Sequence, residues 1–295
     1  MLVIVASLCA AFLLGLGFVI QQHAAARAPA EERLSLRLLV DLAQRPVWLA
    51  GIGVMVVGQV FGAYALGNGR LTVVEPLLAA SLLFALPMAA VWSRQRLGRR
   101  EWAGAVTLMG GLAMFMVAAG PQQVNRTTAV SHESWLVAGL TIVAVVMVVV
   151  WFAKRTDVAE EATLLALGAG TLYGLQDALT QRSIALFPRG IEVVVSSWQP
   201  WALLAVAVVG LLLAQSAFEA APLAASLPAI TIAEPLTGIG LGAGLFSQEV
   251  RLSGISLGFE LAGVVLMVVG VLAVARSPVV TGPRMVRQED PSRAA

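Results

Sequence analysis

Charge is scarce in this 295-residue chain: only 12% of the residues are Asp, Glu, Lys or Arg, whereas 59% are hydrophobic and the mean hydropathy is +0.86. A soluble fold of that make-up has too little polar surface to cover it, which leaves a polytopic membrane protein. Cysteine is reduced to Cys9 and histidine to His23 and His132, so an internal disulfide and a Cys/His zinc site are both excluded. There is no Gly-x-x-x-x-Gly-Lys loop and no dinucleotide fingerprint. No cofactor and no ATP-driven transport by this chain alone are therefore expected. Nor does any Ser/His/Asp or metal-hydrolase constellation occur, and the chain is not expected to be an enzyme. The nineteen Lys+Arg are almost all Arg and lie between apolar runs, a pattern that reports membrane orientation rather than nucleic-acid binding.

Long apolar runs are what the sequence does have. A hydrocarbon core about 30 Å thick needs roughly 20 apolar residues per helical crossing. Nine runs qualify, over residues 1–21, 47–66, 71–92, 102–119, 135–152, 162–181, 194–214, 223–246 and 254–275. They are continuously apolar and lack alternation, so a beta-barrel is excluded. Their Gly and Ala content suits close helix packing in lipid. The expected fold is an all-α membrane protein of nine transmembrane helices.

Orientation follows from charge. With the N-terminus outside, fourteen Lys+Arg fall on the cytoplasmic side and five on the other, which favours N-out and C-in at the plasma membrane. The first run has no basic stretch before it, and a cleavable signal peptide is not expected. After it, Leu34, Leu38 and Leu42 share one helical face while Arg33, Arg37, Asp41 and Arg45 line another. That spacing predicts a short helix in the cytoplasmic interface. Residues 277–295 are polar and Pro-bearing and read as a disordered tail.

The chain also repeats itself. A shift of 159 residues carries Gly15, Leu16 and Gln22 onto Gly174, Leu175 and Gln181. The same shift carries Thr72, Glu75, Pro76 and Leu77 onto Thr231, Glu234, Pro235 and Leu236, and Glu101, Ala103, Gly104 and Gly111 onto Glu260, Ala262, Gly263 and Gly270. The first copy spans residues 1–152 with five crossings. The second spans 153–276 and lacks the fifth. An odd number of crossings per copy inverts the second copy, the inverted-topology repeat of secondary transporters.

Several polar residues within these runs are candidates for chemistry. Pro76 and Pro235 lack an N–H, and their rings displace the carbonyls of Thr72 and Thr231. Each Glu-Pro step thereby gathers a carboxylate, a freed carbonyl and a Thr hydroxyl, an oxygen cluster for a cation or a proton. Glu75 and Glu234 are the candidate ligands should that cation be a metal. Glu234 lies about eleven residues, roughly 16 Å, into the eighth run, near the midplane. The competing reading is a proline kink that serves packing, with each Glu in an interfacial hydrogen bond. Tyr173, Gln176 and Asp177 cluster in the sixth run, and Asp177 has only Phe18 at the matching place in the first copy. That unmatched acid could serve substrate or coupling, or could sit in water near the outer face. Gln59 and Gln215 could hydrogen-bond a polar solute or simply bond across helices. Glu219 and Glu249 carry lower weight. Glu101 and Glu260 are placed near helix starts, where the dipole favours a carboxylate. His23 and His132 fall in loops, and Trp48, Trp92, Trp102 and Trp135 fall at run ends as interfacial anchors.

Leu86-Pro87-Met88, the turn Arg94-Gln95-Arg96-Leu97, then Glu101-Trp102-Ala103-Gly104 and Gly110-Gly111 resemble the repeat of the drug/metabolite transporter (EamA-like) superfamily. Within it, the Gln21-Gln22 turn, the basic loop after the first run and the nine-run layout are most similar to NIPA-type magnesium transporters. The resemblance covers nearly the whole chain and specifies a fold rather than a substrate. Two departures weaken the magnesium reading: Gln95 stands where the superfamily turn usually has glutamate, and Gln59 where a NIPA-like protein has an acid. Gln248-Glu249-Val250 is the nearest counterpart of that turn in the second half.

The resemblance and the repeat together imply a secondary-active carrier of a small solute, coupled to protons or a cation. A NIPA-like divalent-cation transporter is the alternative, and a non-transporting membrane scaffold a third. The expected partners are membrane lipid and a small solute or cation, without nucleic acid, and a homodimer is compatible with any of the three. A reporter fused after Ala295 should be active only on the cytoplasmic side. Activity on the outer side would overturn both the nine-span count and the inverted repeat.

Overall fold

In a computed structural model, the described residues are 1–68, 74, 77–92, 98–119, 130–184, 186–245 and 254–275. Among them there are helices and connecting turns and no strand. The helices are α1 (Leu2–Ala25), α2 (Leu36–Ala43), α3 (Pro46–Asn68), α4 (Ser81–Trp92), α5 (Arg99–Ala119), α6 (His132–Ala153), α7 (Val158–Ile184), α8 (Ile191–Ser196), α9 (Gln199–Ala220), α10 (Leu223–Leu245) and α11 (Gly254–Ala275). By length and composition, Leu2–Ala25, Arg99–Ala118, His132–Ala153, Gln199–Ala220 and Ser256–Val274 are each able to cross a membrane. A sixth crossing is formed if α2 and α3, bent by 91°, count as one. The chain is thus an all-α protein with the make-up of a multi-pass membrane protein, in which every backbone group must be satisfied within its own helix.

Local sequence sets the helix ends. The Ser35 hydroxyl accepts from the Arg37 N–H and starts α2, and Pro46, which needs no N–H partner, starts α3 one bend later. The Ser131 hydroxyl accepts from the Ser134 N–H at the start of α6. Two of the expected runs shift most. The seventh run, expected over 194–214, is α9 over Gln199–Ala220, because Pro200 sits in its first turn and the separate α8 takes up residues 191–196. The sixth run lengthens to Val158–Ile184, since the polar residues flanking it continue the helix. Leu38 and Leu42 of α2 are fully buried, as their shared face predicts. Leu34 lies before the helix, at φ 60.

Packing follows one plan twice. Helix α1 lies against α3 and α4, and α7 lies against α9 and α10. Gly51 abuts Gln21, whereas Gly58 abuts Leu13 and Leu14, so α1 and α3 run antiparallel. Gly168 meets Leu213 and Gly210 meets Tyr173, which makes α7 and α9 antiparallel as well. Gly15 meets Ser81, and the His23 and Trp92 rings are 4.9 Å apart; α1 and α4 are parallel. Gly170 meets Ile230 and Gly174 meets Glu234, and α7 and α10 are parallel too.

Helices α5 and α11 pack on each other through glycine. A Cβ on Gly104 would lie 2.9 Å from the Gly270 carbonyl, and one on Gly270 would lie 2.7 Å from the Gly104 carbonyl. Gly111 and Gly263 face each other in the same way, at 2.7 and 2.8 Å. The two helices are therefore antiparallel and nearly in backbone contact, with Leu108 and Met267 fully buried between them. Away from this seam the surface is apolar: Val137, Leu140 and Met147 of α6 and Val265 of α11 are 60–68% exposed, a belt suited to lipid rather than water.

The seam yields a paired test. Gly270→Ala places a methyl 2.6 Å from the Leu108 backbone nitrogen and should cost about 1–3 kcal/mol by overpacking. Gly110→Ala meets nothing within 4 Å and should be neutral or slightly stabilising. Thermal unfolding in detergent would distinguish them, and equal midpoints would contradict this account of the seam.

Candidate functional site

The Thr231-to-Pro235 stretch of α10 packs on the glycine face of α7. A Cβ on Gly174 would lie 2.5 Å from the Glu234 carbonyl and 2.7 Å from the Thr237 Cβ, and one on Gly170 would lie 2.7 Å from the Ile230 carbonyl. Glycine at these two positions is what lets the acid-bearing stretch come this close. Tyr173, next to Gly174, lies within electrostatic reach of Glu234, and its ring also borders Gly210 of α9 at 2.9 Å from that glycine's Cβ position. Glu234 and Gln176 are half-buried, whereas Asp177, one turn beyond Tyr173, is exposed. Both acids engage in polar or electrostatic interactions.

The structure thus brings Tyr173 and Glu234 together across two helices and sets Asp177 nearby on α7. Thr231 is half-buried one turn before Glu234, but its hydroxyl donates to the Leu227 carbonyl at 2.9 Å, so a ligand there would meet the Thr231 oxygen only as an acceptor. Pro235 lies inside the helix and leaves the Thr231 carbonyl without its usual N–H. Thr72, Glu75 and Pro76 lie outside the described residues, as do Gln95 and Glu249. Among the described residues no three His, Cys, Asp or Glu side chains gather as a metal site.

Other candidates belong to helix contacts. Gln215 is fully buried: its Nε2 donates to Gln21 Oε1 at 2.6 Å, and its Oε1 accepts from Trp48 Nε1 at 3.1 Å. Gln21 Nε2 in turn donates to Met55 Sδ at 2.6 Å. Gln215 therefore joins α1, α3 and α9, the cross-helix bonding that is one of its two expected readings. Gln59 is exposed on α3 and shares none of this. Trp48 and Trp135, expected as interfacial anchors, are only 6% and 5% exposed; the first is taken up by Gln215 and the second packs on Trp198. His23 and His132 lie within α1 and α6 rather than in loops, against Trp92 and Trp198 respectively. Glu101 falls in the first turn of α5, with Oε2 2.8 Å from the Gly98 Cβ position, as the dipole argument expects. Glu260 does not: it sits almost two turns into α11, 8% exposed, with Oε1 lacking a hydrogen bond.

A second polar cluster gathers where α1 and α9 end and α3 and α7 begin. Arg33 donates through Nε to Glu219 Oε2 and through Nη1 to Glu161 Oε2, the latter at 2.8 Å. Its side chain is 15% exposed, against 4% for Glu219 and 16% for Glu161. Burial alone would lower the Arg33 pKa, but the hydrogen bond and charge of Glu219, seconded by Glu161, raise it above its ordinary value. The guanidinium therefore stays charged across the whole physiological range. Next to it, the Leu34 N–H donates to Ser216 Oγ at 3.1 Å, and Arg45 donates to the Ala24 carbonyl at 3.1 Å and to Asp41. Arg33, expected on the polar face of the short interfacial helix, lies before α2 and is largely buried against Glu161 and Glu219.

Gln215→Leu should leave the buried Trp48 N–H and one Gln21 oxygen without partners and cost about 1–3 kcal/mol. Unfolding in detergent would show it. A variant as stable as the parent would mean that the network is incidental to the fold.

No family model matches the chain, and no solved structure matches it. A protein of Corynebacterium glutamicum, described only as uncharacterized, is 30% identical over 281 residues, which cover 94% of this chain and 96% of that one. At that identity over nearly the full length of both, the chain belongs to the same family as the Corynebacterium protein.

Proposed function

We propose that this protein is a secondary-active transporter that moves a small solute by alternating access, coupled to protons or a cation at Glu234. The observation that carries the proposal is the juxtaposition of Glu234 with Tyr173 at a glycine-mediated helix contact, since an acid within an apolar helix is costly to keep without a use. The drug/metabolite transporter architecture of nine spans in an inverted repeat is part of the same reading. Its support is the reciprocal contact of Gly104 with Gly270 and of Gly111 with Gly263. Those four residues are two repeat-related pairs, and a two-fold axis maps one contact onto the other. The helix directions agree: α1 is antiparallel to α3 and parallel to α4, as α7 is to α9 and α10. An N-out, C-in plasma-membrane protein follows from this span count and the charge bias.

The freed Thr231 carbonyl, one turn before Glu234 in α10, also suits a divalent cation, which keeps the NIPA-like reading as the second choice. Uptake into proteoliposomes, with and without a pH gradient, against a panel of Mg²⁺ and metabolite- or drug-like solutes, separates the two. Glu234→Gln should abolish gradient-driven uptake and leave solute exchange partly intact. Asp177→Asn should weaken the pH dependence at normal expression. Gradient-driven uptake that survives Glu234→Gln unchanged would remove Glu234 from the mechanism.

A further inference from the structure

The Arg33 cluster is distinct from the Glu234 site and has three properties that set it apart. First, its contacts join the two halves of the chain: Arg33 and Leu34 come from the first, and Glu161, Ser216 and Glu219 from the second. Second, the arginine and both carboxylates are largely withdrawn from water. Breaking such a pair from one side is far costlier than the pair is worth intact. Third, Leu34 is the one non-glycine residue with positive φ among the described residues, at 60. A Leu in that region is strained and persists only where its surroundings hold it, which makes such positions typical of switch regions. Here the holding contacts are the Arg33 ion pairs on one side and the Leu34 N–H to Ser216 bond on the other.

The same end of the bundle is closed one layer deeper by the Trp48, Gln215, Gln21 and Met55 chain, which again links the two halves. In an alternating-access carrier the two halves must part at one end and then at the other. We propose that the Arg33–Leu34 hook is the latch of the cytoplasmic gate, closed in this conformation, and that its release from Glu219, Glu161 and Ser216 is the step that opens that end. This inference rests on the transporter reading for its purpose, but the latch itself is testable without a substrate.

The experiment uses the full-length protein in detergent micelles with Cys9, which is exposed, changed to Ala. Ala217→Cys then reports from beneath the latch, at a fully buried position of α9 next to Ser216, through its rate of labelling by a polar maleimide. Ala105→Cys, at a fully buried position in α5, serves as the remote control. Arg33→Gln and, separately, Glu219→Gln should each speed labelling at residue 217 by about tenfold or more, because the rate follows the open population. Labelling at residue 105 should stay slow, and the exchanged pair Arg33→Glu with Glu219→Arg should restore slow labelling at 217. Unchanged labelling at 217 in both single variants would overturn the latch whatever the uptake assays show. Equal acceleration at 105 and 217 would also overturn it, because the ion pair would then hold the whole fold and not one end. Failed uptake in Glu234→Gln tests, by contrast, bears on the transport reading alone and leaves these labelling rates untouched.

Discussion

Lipid tails are as apolar as leucine, so the helices of this protein gain little from hiding apolar side chains against each other in a bilayer. What remains is close contact between backbones, and that is available only where a side chain is missing. The arrangement depends on this constraint. Gly104, Gly111, Gly263 and Gly270 bring α5 and α11 together with less than 3 Å between each carbonyl and the place where a Cβ would stand. Gly15 does the same for α1 against α4, and Gly170 and Gly174 for α7 against α10. Each contact fixes an interhelical distance that a single methyl group would disturb, and the candidate site inherits its geometry from the last of them.

Polar contacts obey a complementary rule. Ion pairs and amide hydrogen bonds collect at one end of the bundle, where Arg33 binds Glu161 and Glu219, Arg45 binds Asp41 and the Ala24 carbonyl, and Gln215 binds Gln21 and Trp48. Carboxylates there find cations within reach, so their burial is compensated. Glu234 has a different neighbourhood: its backbone packs on Gly174 of α7, and Tyr173 of the same helix lies within its electrostatic reach.

Much of this was legible in the sequence because it depends on spacing. The 159-residue shift picked out the glycines that touch across the α5–α11 seam and the Gly174 that admits Glu234, although it could not say which glycine meets which. Leu38 and Leu42 were legible as a buried face for the same reason. Contacts between distant segments were not. Arg33 finds Glu161 and Glu219 at separations of 128 and 186 residues, and periodicity gives a residue's face but never its partner. Trp48 was misread because an indole at a helix end looks the same whether it faces headgroups or another helix. Glu260 was misread for a local reason: α11 begins at Gly254, so the helix start lies too far away for its dipole to act.

The two polar sites are mechanically connected by the helices that carry them. Glu161 stands in the first turn of α7 and Tyr173 twelve residues on, about 18 Å along the same helix. Glu219 is the penultimate residue of α9, just before Ala221 and Pro222 lead into α10, the helix of Glu234. Helix α7 also touches both α9 and α10 through glycine, at Gly210 and at Gly174. A helix packed this tightly moves as a rod rather than bending between its contacts. A tilt of α7 that withdraws Glu161 from Arg33 therefore changes the contact between Gly174 and Glu234 as well, unless it pivots on that contact. In the proposed cycle, coupling between the gate and the acid needs no relay of side chains, because one rigid helix belongs to both.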